Sequence, residues 1–413
     1  MSKRAIGFLI IAFMLYLFGN QTQIGWLYVM SALIAGLVVV GGLLSCGALR
    51  DIQLERSLSA ENLYEGDEIN VDLRVKRARG LAAYQVEMTE ICPLAELSER
   101  EKRLYLPVIP SNQPLTYAYL VTLDRRGVYA FPPILMRTRF PFGFFRRHGR
   151  LTAPTQALVY PEVKPLLRFP LLEKQLAAQI ATQRAGHGSE VIGVRPFRSG
   201  DSPRHIHWRS TARTGQLMSK EFADEAQPNL TLLLDTDFSG TAENKRNPFE
   251  WAVKSAVSIA DHARRRGFPL FLRHGDSALS NVESALGWET FLQMMARIQP
   301  SPCEFADLCG QVPAGSMIAA VLPMPSMRHL APLIEWKSRG SAVMVVLIDP
   351  SSFDPAAESA EPIRAALAAA GIDALLIDSS TVPADQLARS LAAATTQGTN
   401  PREANPSTSA AHA

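Results

Sequence analysis

Cysteine is scarce in this sequence, and the cysteines that are present follow no regular spacing. The four among 413 residues are Cys46, Cys92, Cys303 and Cys309. The gap between the last two matches neither a zinc knuckle nor a CxxC redox pair. We therefore interpret all four as free thiols, which is typical of a protein in a reducing compartment.

The short motifs of common catalytic and nucleotide-binding sites are also missing. The sequence contains no GxxxxGK[ST] loop, no HExxH and no GxSxG. In "GHGSEVIG" (186–193) two glycines have the spacing of a dinucleotide-binding turn, but the third is misplaced and an apolar strand follows. His205 and His207 have no third metal ligand near them in the sequence. Hydrogen bonds to protein groups are therefore favoured over a zinc site. No residue is predicted to be catalytic, and no small-molecule substrate is expected.

Neither sign of charge dominates the chain. The 42 Lys and Arg residues and the 39 Asp and Glu residues give a formal net charge of +3, so overall charge does not indicate a nucleic-acid binder. The length predicts two or three domains. A hydrophobic content of 47% with 20% charged residues is that of a folded protein with an additional apolar segment.

That additional apolar segment lies at the N-terminus. Residues 5–18 and 24–45 carry no charge. The second run is long enough to cross a ~30 Å hydrocarbon core, whereas the first spans only with its flanks, by thinning the bilayer, or lies as a re-entrant segment. The basic residues that flank the pair are Lys3, Arg4, Arg50 and Arg56. The positive-inside rule then predicts that residues 1–50 form a transmembrane hairpin, in contact with lipid through 5–45, with both ends in the cytoplasm.

Two patterns of apolar residues divide the remaining chain. Between 51 and 165 apolar and polar residues alternate, as in "INVDLRV" (69–75), which predicts an all-β sandwich of seven or eight strands. Its "RTRFPFGFFRR" (137–147) is interpreted as a strand end that packs onto the next domain. Over 230–395 apolar strands alternate with amphipathic helices, which predicts a parallel sheet covered on both faces. Residues 396–413 have nothing to bury and are predicted to be disordered.

Acidic residues follow the first strand of that sheet. Asp235, Asp237 and Ser239 resemble the first metal-adhesion loop of von Willebrand factor type A domains, whose usual form is Asp-x-Ser-x-Ser. Two carboxylates and a hydroxyl could hold Mg²⁺, although Asp237 replaces the middle serine. The alternative is a strand-end aspartate that caps the following segment. Apart from this Mg²⁺, no cofactor is expected.

Residues 166–229 lead into the α/β domain and carry the most specific pattern. "EVIGVRPFRSGDSPRHIHWRSTARTGQLMSKEFADE" (190–225) is similar to the signature of the bacterial family of domain of unknown function 58. The matching positions are Arg195, Gly200, Asp201, Arg204, His207, Trp208, Ala212, Arg213, Gly215, Glu221 and Phe222. The resemblance implies a protein anchored in the bacterial inner membrane, with cytoplasmic soluble domains and a von Willebrand factor type A-like end. It also implies a MoxR-type AAA+ ATPase as partner and no established enzymatic activity.

The same segment is strongly basic, with seven Lys and Arg against two acids between 184 and 220. Arginine suits recognition of a carboxylate surface, or a buried pair with Asp201. The predicted partner-binding residues, taken as exposed, are Arg195, Arg198 and Arg209. The predicted structural residues, with the tryptophan buried, are Asp201, Arg204, His207, Trp208 and Arg213.

The sequence thus predicts a membrane-anchored, non-enzymatic scaffold or adaptor that acts with a AAA+ ATPase in the assembly or maturation of other proteins. Two alternatives remain open. One is a Mg²⁺-dependent hydrolase centred on Asp235 and Asp237, against which the absence of a nucleophile–base pair weighs. The other is a nucleic-acid binder that uses the Arg/Trp stretch, although a nucleic-acid partner is not expected.

Overall fold

A computed structural model describes most of the chain, in two compact units. The described residues are 3–111, 113–166, 168–184, 191–198, 201, 203–222, 229–240, 246–275, 280–282, 285–310, 312 and 316–380. The units are Met1–Glu162 and Val163–Ala413. Most of the glycine-rich segment at 186–193, Gly200 of the signature, and the tail 396–413 lie outside the described residues.

The first unit begins with two apolar helices, α1 (Lys3–Thr22) and α2 (Gly25–Cys46). Both are long and apolar enough to cross a membrane. At 20 residues α1 exceeds the uncharged run 5–18 and reaches about 30 Å at about 1.5 Å per residue. The two helices are joined by a buried hydrogen bond of 2.7 Å, which the Ser31 hydroxyl donates to the Ala12 carbonyl. Most of their apolar side chains are exposed, with Leu33 at 62%, so the pair is compatible with a membrane anchor.

The described residues of the first unit then form ten strands. They are β1 (Ile52–Leu58), β2 (Leu63–Tyr64), β3 (Glu68–Arg77), β4 (Ala83–Ile91), β5 (Glu101–Ile109), β6 (Leu115–Thr122), β7 (Gly127–Ala130), β8 (Ile134–Thr138), β9 (Arg147–Leu151) and β10 (Gln156–Tyr160). Their sheets have the orders β1-β3-β6, β5-β4-β8-β9 and β2-β10-β7, and every pairing except β2–β10 is antiparallel. Ten strands exceed the predicted seven or eight because the shortest are too brief to show an alternating pattern.

The predicted alternation does place the apolar side chains of the longest strand in one core. Along β3, Ile69, Val71, Leu73 and Val75 are buried. A charged pair lies in this core as well, because the side chains of Arg56 and Glu90 are both fully buried, with Nε and Oε1 2.9 Å apart. In the loop 140–145 after β8, Phe144 and Phe145 pack against α1 and α2 and Phe140 stacks on Tyr84 of β4, which corrects the interpretation that this stretch packs onto the next domain.

The second unit alternates strands and helices. Its helices are α3 (Pro170–Arg184), α4 (Trp208–Thr214), α5 (Pro248–Arg265), α6 (Ala285–Arg297), α7 (Phe305–Cys309), α8 (Leu330–Ser338) and α9 (Glu361–Ala369). Its strands are β11 (Val191–Pro196), β12 (Met218–Phe222), β13 (Leu230–Leu234), β14 (Leu270–His274), β15 (Ser280–Asn281), β16 (Met317–Leu322), β17 (Ala342–Ile348) and β18 (Asp373–Ile377). The predicted multidomain layout is therefore confirmed.

The main sheet of the second unit has the order β15-β14-β13-β16-β17-β18. All its pairings are parallel except that of the edge strand β15. Every residue of β13 and β16 is buried, as continuous apolar runs predict for parallel strands covered on both faces. The chain moves outward in one direction from β13 to β14 and in the other from β16 to β18. The strand order therefore reverses between β13 and β16, where open α/β sheets form their ligand crevice.

The signature segment does not join this sheet. Strands β11 and β12 form a separate two-stranded antiparallel sheet, with α4 between them in the sequence. Helix α4 ends at Thr214 and is capped by Gly215, whose φ of +71° is a left-handed conformation that glycine adopts without strain.

Candidate functional site

The crevice between β13 and β16 contains the predicted acidic residues together with two basic residues that the sequence analysis did not single out. Asp235 and Asp237 follow β13, and Arg328 and His329 follow β16. Parallel strands end at the same edge of the sheet, which brings the four side chains together. We call these four residues, with Cys303, the strand-end cluster.

Asp235 is completely buried, and both of its carboxylate oxygens contact protein groups. Its Oδ1 accepts from the backbone N–H of Asp237 at 3.0 Å and from the Cys303 thiol at 3.4 Å. Its Oδ2 lies 3.2 Å from Nε2 of His329, which is also fully buried. A buried carboxylate is tolerated only when it is bonded in this way.

The tautomer of His329 follows from its other contacts. Its Nδ1 accepts from the backbone N–H of Ser326 at 2.9 Å, which leaves Nε2 as the nitrogen that carries a proton toward Asp235. His329 therefore donates to Asp235 and is held in place by the turn that precedes α8. Its ring also packs edge-on against Phe305, with centroids 5.1 Å apart.

Arg328 lies where a bound cation would bridge the two carboxylates. Its Nη2 is 2.5 Å from Oδ2 of Asp237 and 4.0 Å from Oδ2 of Asp235. Ser239 is exposed and lines a cavity of about 420 Å³ with Phe238 and Phe353. Within the described residues, no group of three or more His, Cys, Asp or Glu side chains could hold a metal ion.

Cys303 is the one thiol beside the carboxylates. Burial raises the pKa of Cys303, and the neighbouring Asp235 raises it further, although hydrogen bonds with Thr236 oppose both effects. The reactive form of cysteine is the thiolate, so this environment keeps the thiol protonated and weakly nucleophilic. The strand-end cluster thus forms a closed set of ion pairs and hydrogen bonds.

We expect Mg²⁺ and chelators to leave the thermal unfolding midpoint of the second unit unchanged, because Arg328 already pairs with the two carboxylates and a ligand stabilises only a state that binds it. The fluorescence of Trp251, Trp288 and Trp336 during heating, with EDTA or with excess Mg²⁺, measures this midpoint. In Arg328→Ala, by contrast, Mg²⁺ should raise the midpoint. A fall caused by EDTA in the unaltered protein would contradict the prediction.

The second candidate site is the signature segment, whose turn is held by Arg195 and Asp201. The guanidinium donates from Nη1 and Nη2 to the two carboxylate oxygens at 2.8 Å each, and the Arg198 N–H donates to Oδ2 at 2.8 Å. These donors lower the pKa of Asp201 to about 2, with the Arg195 hydrogen bonds as the largest cause. Arg195 therefore has a structural role, which corrects its prediction as an exposed partner-binding residue; its acid lies six positions away, across the turn.

Helix α4 follows this turn and is capped by a histidine. Nδ1 of His207 accepts from the Ser210 N–H at 3.2 Å and lies 2.8 Å from the Ser210 hydroxyl. The histidine thus satisfies a backbone donor at the start of the helix, in the way that an N-cap side chain does. The structure thus gives His207 a structural role at the start of α4.

Trp208 is 68% exposed, so the prediction that it is buried is wrong. No residue of α4 is buried, because this short helix lies on the two-stranded sheet and not in the core of the second unit. The exposed side chains nearby include Arg198, Arg204, Arg209, Arg213 and Leu217. Arg204 and Arg213 were predicted to be structural, yet among the described residues neither forms an ion pair. We call Arg204, Trp208, Arg209, Arg213 and Leu217 the basic–aromatic surface.

Fold and site together define a multidomain protein with two apolar N-terminal helices, a β unit and an α/β unit. Residues 193–317 match the family model described as protein of unknown function DUF58, which confirms the resemblance of this part of the chain to that family. The uncharacterized protein YeaD of Bacillus subtilis (strain 168) is 24% identical over 302 residues, which cover 71% of this chain and 72% of YeaD. The family match begins inside β11 and ends at the first residue of β16.

Similarity to solved structures is weak. Spo0M, a sporulation control protein from Bacillus subtilis, is 14% identical with a TM-score of 0.15, over 36% of this chain and 59% of that one. A GH20 exo β-N-acetylglucosaminidase from Vibrio harveyi is 8% identical with a TM-score of 0.22, over 79% and 81% of the two chains. At these TM-scores neither similarity supports a conclusion about fold or function.

Proposed function

We propose that the protein is a membrane-anchored, non-enzymatic adaptor that binds an acidic surface of a partner protein through the basic–aromatic surface. The observation that carries the proposal is helix α4, none of whose residues is buried and whose Trp208 is 68% exposed. An exposed tryptophan among arginines is the composition of an interaction hot spot, since Trp and Arg dominate the binding energy of protein interfaces.

The local energetics support the same conclusion. Apart from one antiparallel bridge between Ile206 and Ser219, strands β11 and β12 pair only with each other among the described residues, and a two-stranded sheet is marginally stable in water. Contact with a partner would bury the apolar surface that α4 leaves in solvent. The planar guanidinium groups of Arg209 and Arg213, one helical turn apart, would each bind a carboxylate through two parallel hydrogen bonds.

The proposed partner is a MoxR-type AAA+ ATPase, and the proposed role is the assembly or maturation of other proteins. Family resemblance is the basis of this partner, and the positive charge of the surface agrees with an acidic binding face. The von Willebrand factor type A-like character of the α/β unit and the sandwich arrangement of the β unit belong to the same proposal.

The proposed anchor is the pair α1 and α2, which cross the inner membrane with both ends in the cytoplasm. The support is the length and exposed apolar surface of both helices, with the basic residues Lys3, Arg4 and Arg50 at the two ends that lie on one side. The β unit and the α/β unit would then both lie in the cytoplasm.

We expect the triple variant Arg204→Glu/Arg209→Glu/Arg213→Glu to weaken binding of the purified ATPase at least tenfold, about 1.4 kcal/mol, at low salt. The full chain in detergent, immobilised and titrated with the ATPase, gives the affinity. The unfolding midpoint should change by no more than about 2 °C, because all three side chains are exposed.

Arg297→Glu is the matched control, because Arg297 is an exposed arginine at the end of α6 in the same unit. It should leave the affinity unchanged. Equal affinities for the triple variant and the control would show that the basic–aromatic surface does not bind the ATPase. Tight binding of single-stranded DNA or RNA that the triple variant loses, with no binding of the ATPase, would favour the nucleic-acid alternative.

A further inference from the structure

The loop 140–145 of the β unit lies against the two apolar helices. The Phe144 ring is almost fully buried, and its centroid is 5.2 Å from that of Phe8 in α1. Two glycines of α2 face the neighbouring rings: a Cβ at Gly41 would be in ordinary contact with Phe142 at 3.4 Å, and one at Gly42 would lie 3.3 Å from Phe145. We call residues 140–145 the aromatic loop.

The aromatic loop contacts the helices well inside their ends. Gly42 precedes the last residue of α2, Cys46, by four positions, and Phe8 follows the first residue of α1, Lys3, by five. At about 1.5 Å per residue both contacts lie about 6–8 Å from the helix ends. Measured along either helix, the aromatic loop therefore lies at about the same distance from the helix ends.

The charged residues that follow the loop lie at the helix end. Nη2 of Arg147 is 3.0 Å from the Sγ atom of Cys46, and both Arg146 and Arg147 are exposed. Phe142, by contrast, is 48% exposed at the deeper level of Gly41. Apolar rings on the inner side and arginines at the helix end are the order of side chains found where a protein enters a bilayer.

We propose that the aromatic loop is embedded in the cytoplasmic leaflet beside α1 and α2, with Phe142 in contact with lipid acyl chains and with Arg146 and Arg147 at the phosphate groups. This inference rests on the proposed membrane anchor, because the helices set the depth of the loop. Lipid acyl chains then surround the exposed ring of Phe142. The aromatic loop attaches the β unit to the bilayer at a third point, in addition to the two helices.

The test measures the depth of a nitroxide spin label at Phe142→Cys in the full chain, in nanodiscs of phosphatidylcholine and phosphatidylglycerol. The exposed and partly exposed thiols are first removed as Cys46→Ser and Cys303→Ser; Cys92 and Cys309 are buried. Two reference labels are placed at Leu33→Cys in the middle of α2, and at Leu97→Cys on the β unit, where the side chain is 77% exposed. Accessibility to dissolved oxygen relative to a water-soluble nickel complex gives the depth.

The label at Phe142→Cys should be more accessible to oxygen than to nickel, with a ratio between those at Leu33→Cys and Leu97→Cys. A nickel-accessible label at Phe142→Cys, with an oxygen-accessible one at Leu33→Cys, overturns the insertion of the loop and leaves the anchor intact. Nickel accessibility at both positions overturns the anchor itself, and the insertion with it. Phe142→Trp provides an independent measurement of depth, because lipids brominated on the acyl chain should quench the fluorescence of the introduced tryptophan.

Discussion

Replacing Arg56 with methionine is expected to lower the free energy of unfolding of the β unit by about 3–5 kcal/mol, because it leaves the buried carboxylate of Glu90 without its cation. The Arg56 guanidinium also donates to the Ala153 carbonyl at 3.0 Å and lies over the Phe131 ring at 4.4 Å, so these contacts are lost too. Hydrogen–deuterium exchange of peptides from β3 and β4 in the full chain measures the loss.

Arg74→Met is the control, because Arg74 is an exposed arginine on β3 and its loss should cost less than about 0.5 kcal/mol. The double variant Arg56→Met/Glu90→Leu should recover most of the lost stability, since an apolar pair of similar volume often replaces a buried ion pair without loss. A single variant as stable as the control would show that the pair does not stabilise this core.

The deficit of Arg56→Met should also depend on pH. Burial raises the pKa of Glu90 above its ordinary value, and Arg56 opposes this effect. A carboxyl whose pKa is higher in the folded state lowers the free energy of unfolding as the pH rises through the interval between the unfolded and folded values. Removal of Arg56 raises the pKa of Glu90 further and widens that interval. The loss should therefore be smaller near about pH 5 than at neutral pH.

Replacing His329 with leucine is expected to cost the α/β unit about 2–4 kcal/mol, because the completely buried Asp235 loses the donor to its Oδ2 atom. Urea unfolding followed by tryptophan fluorescence gives this loss as a shift of the midpoint. His148→Leu, at an exposed histidine of the β unit, should leave that midpoint unchanged.

His329→Gln separates the hydrogen bond from the packing of the ring. Its amide N–H can donate to Asp235, so this variant should recover part of the stability that leucine loses. Equal midpoints for the leucine variant and the unaltered protein would mean that the carboxylate is satisfied without the imidazole.

Local patterns in the sequence predicted the elements of the fold well. The alternation of Ile69 to Val75 and the continuous apolar runs of β13 and β16 each reflect a strand's own burial, which neighbouring residues reveal. The strand-end cluster was only half predicted, because Asp235 and His329 are 94 residues apart and meet only through the strand order. Basic residues after an apolar strand would have been the signal, once the reversal between β13 and β16 was known.

Side-chain exposure in the signature segment was the least predictable feature. Trp208 was predicted to be buried as a structural residue of the signature, but α4 is a short helix with no buried residue, so the tryptophan has no core to pack into. Arg195 has no acid adjacent in sequence, and only the turn brings Asp201 to it. Both errors concern tertiary context, which no local pattern contains.

The separation of β11, α4 and β12 from the main sheet has a consequence for how the protein can vary. Substitutions of the exposed side chains on this segment should change the choice of partner without changing the amount of folded protein in the cell, because the segment adds no strand to the main sheet of the α/β unit. Substitutions in β13 or β16 should instead change the amount of folded protein and leave the choice of partner unchanged. Relatives of this protein could therefore acquire new partners through changes in a few exposed side chains, while the same α/β unit folds unaltered beneath them.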